Sequence, residues 1–104
     1  MKIRRRYSSK EIVLCTYIAR FGRADFDETD INKLTGRTVD SLKRKIRNIA
    51  FMLDKDGFAT SDEVAKAPVS ATRTNLRSKR GVVQMYAVVK QEEFLATCNE
   101  LLNK

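Results

Sequence analysis

Six residues between positions 37 and 48 have the side chains that read a nucleic-acid duplex: Arg37, Thr38, Ser41, Arg44, Lys45 and Asn48. Arginine takes guanine through two parallel hydrogen bonds and asparagine takes adenine in the same way, while hydroxyls and ammonium groups serve bases or phosphates. They lie in a stretch, 37–47, where Arg37, Lys43, Arg44, Lys45 and Arg47 meet a single acid, Asp40. Two other runs repeat the basic character. Lys2, Arg4, Arg5 and Arg6 form an N-terminal arm, and Arg73, Arg77, Lys79 and Arg80 crowd residues 73–80 without an acid among them. Such runs suit phosphate oxygens or a narrow minor groove; the plain alternative is a solvated charged loop.

Other chemistries are poorly supplied. The 104 residues include no histidine, which removes a histidine general base, a histidine-containing triad and a Cys/His zinc site. Cys15 and Cys98 are too few for a disulfide framework or a four-thiolate metal centre, and each falls on an apolar helical face. The acidic pairs Asp27/Glu28 and Glu92/Glu93 sit where helix starts favour negative charge, and Asp54/Asp56 flank a turn, so none demands a metal or acid–base role. No enzyme, metal, cofactor or small-molecule substrate is expected. The aromatics are scattered, without the paired platform that stacks single-stranded RNA. Phe51 alone falls opposite an apolar stripe, suiting contact with the C-terminal half or a second subunit. Lys and Arg number 21 against 13 Asp and Glu, a net charge of +8 that calls for a polyanionic partner. No apolar run approaches the ~20 residues of a membrane span, and a cytoplasmic protein without membrane association is the default expectation.

The elements that must position these residues are mostly helices, and the 42% apolar content supplies a single core. Ser8-Ser9-Lys10-Glu11 is a capping box, in which Ser8 and Glu11 satisfy each other's free amides. A helix follows through Phe21, apolar around most of its circumference, and Gly22 suits its stop. A two-turn helix begins at Asp27-Glu28 and ends at Gly36. Thr38 then caps a longer helix over about 39–53, where Leu42, Ile46, Ile49 and Leu53 recur at helical spacing and make a core stripe. Arg37, Asp40, Arg44, Arg47 and Asn48 project from the opposite side, flanked by Ser41, Lys43 and Lys45. The run Gly81–Val89 is rich in β-branched residues and reads as a strand, which Ala67–Ala71 could pair with to leave a basic hairpin tip. A final helix over about 91–103 gathers Phe94, Leu95, Cys98, Leu101 and Leu102 on one face.

Gly36-Arg37-Thr38, Ser41-Leu42, Lys45-Ile46, Asn48 and Leu53-Asp54 resemble the helical segment that precedes the nuclease domain in some HNH-type restriction endonucleases. There an Arg-Ser/Thr turn starts a helix containing a Lys-hydrophobic pair and an Asn, followed by Leu-Asp. The likeness covers about residues 12–57. It implies DNA engagement without the nuclease, whose centre needs the histidines this sequence lacks.

The expectation is one domain over 1–104, mainly α with a small β element. It comprises a basic arm at 1–7, a helix-turn-helix region at 8–57, a possible β-hairpin wing at 67–89 that would make the fold winged-helix-like, and an amphipathic C-terminal helix at 91–104. The expected function is non-catalytic binding of double-stranded DNA, as a transcriptional regulator or an accessory factor of a phage, plasmid or mobile element. Arg37, Thr38, Ser41, Arg44, Lys45 and Asn48 face the groove; Arg4, Arg5, Arg6, Arg73, Arg77, Lys79 and Arg80 reach phosphates or the minor groove. Because one reading helix covers few base pairs, a homodimer is expected, with Phe94, Leu95, Cys98, Leu101 and Leu102 at its interface. The alternatives are RNA binding, or a small basic inhibitor that targets another protein.

Overall fold

Ser8 starts the first helix as its spacing from Glu11 requires. The Glu11 N–H donates to Ser8 Oγ at 3.2 Å and the Ser8 N–H donates to Glu11 Oε1 at 2.8 Å, so both free amides are satisfied. The helix that follows, α1 (Ser9–Phe21), buries every residue from Glu11 to Ala19. A helix apolar on nearly all sides belongs in the middle, and the computed structural model, which describes residues 8–65 and 80–102, places the other long elements around it.

The next two helices are joined by a tight turn. α2 (Glu28–Thr35) begins under a second capping box: Asp27 accepts from the Thr29 and Asp30 amides, and Asp30 accepts from the Asp27 N–H at 3.0 Å. It ends at Gly36, whose backbone is left-handed (φ 78°) and whose N–H reaches Asn32 O at 2.7 Å. That conformation is what glycine supplies at low cost at a helix end. Three residues later α3 (Val39–Lys55) begins, with Thr38 Oγ1 accepting from the Ser41 N–H at 3.2 Å. The stripe of Leu42, Ile46, Ile49 and Leu53 is buried against α1, and α3 runs two residues beyond its expected end.

The segment after the undescribed residues 66–79 corrects an expectation. Arg80–Tyr86 is a helix, α4, and not the strand that its valines suggest. Val83 and Ala87 are buried at a spacing of four, while Met85 is 65% exposed and Val88 is 71% exposed. A strand would have put Val83, Met85 and Ala87 on one side. Packing against α1 selects the helical period over the weak strand preference of β-branched residues. The small β element is therefore not seen, and no strand occurs among the described residues. The strand expected at 67–71 and the basic tip containing Arg73, Arg77 and Lys79 lie outside those residues.

Arg20 of α1 closes the end of α4. Its Nη1 donates to the carbonyls of Tyr86 at 2.8 Å and Val89 at 2.6 Å, satisfying acceptors that the helix leaves open. The same guanidinium lies 4.4 Å from the centroid of the Phe21 ring. Beneath it, Tyr17 packs against Phe21, Phe26 and Phe94, and its hydroxyl donates to Asp25 and accepts from Gln91.

α5 (Gln91–Leu102) brings the second correction. Phe94 and Cys98 are fully buried within the single chain, and Leu95, Leu101 and Leu102 are half-buried against the same apolar cluster. The face expected at a dimer interface thus covers the protein's own core, because Tyr17, Phe21 and Tyr86 already offer Phe94 its partners. No helix among the described residues is long and apolar enough to cross a membrane.

Candidate nucleic-acid interface

The outer side of α3 is set by its inner side. Once Leu42, Ile46, Ile49 and Leu53 face α1, the ~3.6-residue period turns Asp40, Arg44 and Arg47 outward, and all three are exposed, as is Lys43 at the edge. Asn48 and Phe51 lie on the same side and are half-buried.

The six residues expected at a groove separate on inspection. Arg44 is exposed and, like Asn48, makes no hydrogen bond or ion pair among the described residues. Thr38 is exposed, with its hydroxyl engaged as the helix cap. Ser41 and Lys45 are half-buried, and loss of solvent depresses the Lys45 ammonium below its ordinary pKa.

Arg37 departs from the groove-facing role expected of it. Its side chain is 11% exposed and donates through Nε to Glu11 Oε2 at 2.8 Å and through Nη2 to Glu11 Oε1 at 3.2 Å. Burial alone would raise the Glu11 carboxyl; Arg37 and the Ser8 amide outweigh it, and the net shift is downward. Arg37 also receives Asn32 Nδ2 on its carbonyl at 2.8 Å. It pins the 36–38 turn to the start of α1, and thereby fixes where α3 begins.

Arg23 is engaged in the same manner. Its Nε and Nη2 close on the carboxylate of Glu28, which is 3% exposed, with a shortest distance of 2.7 Å. The pair borders an open cleft of about 500 Å³ between the start of α2, one edge of α3 and residues 61–65. Arg23, Lys43 and Arg47 line it together with Asp27, Glu28 and Glu63, three cations against three anions. An anion gains little there.

Arg47 belongs with Arg44, although it was not among the six residues chosen from sequence. The signal was present: it lies three residues beyond Arg44 on the same face. It is exposed and makes no hydrogen bond or ion pair among the described residues. Arg4, Arg5 and Arg6 lie outside the described residues, and Arg80 is described only in its backbone, as the first residue of α4. No family model, curated protein or solved structure matches the chain.

Proposed function

We propose that this chain binds double-stranded DNA without catalysing a reaction on it, using α2, the 36–38 turn and α3 as a helix-turn-helix. The observation that carries the proposal is a division among the arginines. Arg20, Arg23 and Arg37 are each engaged by carbonyls or a carboxylate inside the fold. Arg44 and Arg47 share one exposed face of α3 and are engaged by nothing among the described residues. Arginines held as structural pairs need no partner; two exposed ones side by side, in a chain of net charge +8, suit a polyanion. A second helix following a short turn is the element that helix-turn-helix proteins lay in the major groove.

In this arrangement Arg44 and Asn48 reach base edges, and Lys43 and Arg47 hold phosphates at the rim. Arg4, Arg5, Arg6, Arg73, Arg77, Lys79 and Arg80 add phosphate contacts. The likeness of residues 36–54 to the segment ahead of HNH nuclease domains favours the same use, and regulation of transcription or an accessory role in a mobile element would employ it. Pairing of two copies on neighbouring half-sites is part of the proposal, since one helix covers few base pairs.

Fluorescence anisotropy with labelled duplex DNA, duplex RNA and single-stranded DNA at one fixed salt concentration tests it. Duplex DNA should bind most tightly, and Arg44→Ala/Arg47→Ala should weaken that binding while the helical circular dichroism is kept. Equal binding by the double variant, or a preference for RNA, would contradict the proposal.

A further inference from the structure

Asp40 is the one acid on the outer face of a basic helix. It is exposed, and although it stands four residues before Arg44, where an ion pair would form easily, it makes none among the described residues. The turn before it is already capped by Thr38. A carboxylate at this place is repelled by phosphate and can gain from a duplex only where the duplex presents donors, and in the major groove these are the amino groups of cytosine and adenine. Of the two, cytosine suits a carboxylate better, because its N4 amino group is the sole polar group it presents there, whereas adenine sets an acceptor beside its donor.

Arg44 and Asn48 continue the series at the same interval of four residues. Four residues advance ~6 Å along a helix, close to the ~6.8 Å of two base-pair steps. Resting on the duplex-DNA reading above, we infer that Asp40, Arg44 and Asn48 form a ladder that reads every second base pair, taking cytosine, guanine and adenine respectively. The preferred half-site therefore contains a G·C pair, a second G·C pair two steps on, and an A·T pair two steps beyond that. The acid at the first rung acts mainly by exclusion: it weakens binding wherever the groove offers it only acceptors.

The test is selection of bound sequences from a random duplex pool by the wild type and by Asp40→Asn, with anisotropy on the recovered sites and circular dichroism to verify folding. Asparagine keeps the size of the side chain and prefers adenine. The expected result is that the variant's pool changes from G·C to A·T at the first position alone, with roughly tenfold altered discrimination there and the other two positions retained. An unchanged pool from a folded Asp40→Asn, or wild-type selection of positions unrelated to this spacing, would overturn the ladder while leaving DNA binding intact. Failure of the wild type to recover any duplex at low salt would overturn the duplex-DNA reading and the ladder with it. Asn48→Ala supplies a second check, since it should relax the third position only; relaxation of the first position instead would remove the assigned order.

Discussion

Arg37 and Arg44 show what a residue's surroundings add to its type. Both are arginines beside a predicted helix, and nothing local separates them. The partner that does so, Glu11, lies 26 positions away and faces the turn only when α1 packs on α3. Breaking a buried pair leaves one charge stranded, which costs about 3–5 kcal/mol. Arg37→Ala should therefore lower stability by about that much in urea unfolding, whereas Arg44→Ala should stay within ~0.5 kcal/mol of wild type. Replacing Glu11 and Arg37 together by Met should cost less than the single change. The pair also sets an acid response. Glu11 and Glu28 both have folded pKa values below the ordinary 4.5, so each is harder to protonate when folded. Their contribution is complete above that value and is lost as pH falls through the lowered folded values. Urea midpoints followed from neutral pH to about pH 3 should fall, and Glu11→Gln should start lower and fall less steeply. The cysteines belong to the core: burial pushes the Cys98 thiol up to about 12 and Cys15 higher still. A thiol reagent should label neither until the protein unfolds.

Helix ends were legible one by one, because capping is local chemistry. Ser8 with Glu11, Gly36 and Thr38 each announce a boundary within four residues, and each boundary stands where expected. α4 was not legible. Its valines favour a strand, and only contact with α1 decides that Val83 and Ala87 share a buried side that excludes Met85. The two arrangements separate experimentally. Val83→Asp should cost several kcal/mol, about 3 or more, by burying an unpaired charge. Met85→Asp should stay within ~0.5 kcal/mol. Equal, large losses from both would restore the alternating strand. Gly22 marks another limit of local reading. It was legible as a helix stop, yet its reason is tertiary as well: at φ 86° an added Cβ would stand 2.8 Å from Glu63 Oε1. Gly22→Ala should therefore destabilise, by about 1–3 kcal/mol.

At the scale of the molecule, one core gathers α1, α3, α4 and α5. The apolar face of α5 was visible in the sequence, but the sequence could not say whose core it covers. Phe94 answers that by packing on Tyr17, Phe21 and Tyr86 of its own chain. Phe94→Ala should cost about 3–5 kcal/mol, and this loss should be the same at every protein concentration. A loss that shrinks as concentration rises would place α5 between subunits. The charge of the whole chain carries the central claim, that exposed cations grouped on α3 engage the phosphates and bases of duplex DNA. The most direct measurement is the dependence of duplex affinity on salt, in wild type and in Arg44→Ala/Arg47→Ala. If roughly 5–8 phosphates are neutralised, the logarithm of the association constant should fall with that of salt at a slope of about −0.9 for each. Removing a phosphate contact at Arg47 and a groove contact at Arg44 should weaken binding at all salt concentrations and reduce the slope by about 1 or more. A flat response in the wild type, or an unchanged slope and affinity in the double variant, would contradict the account.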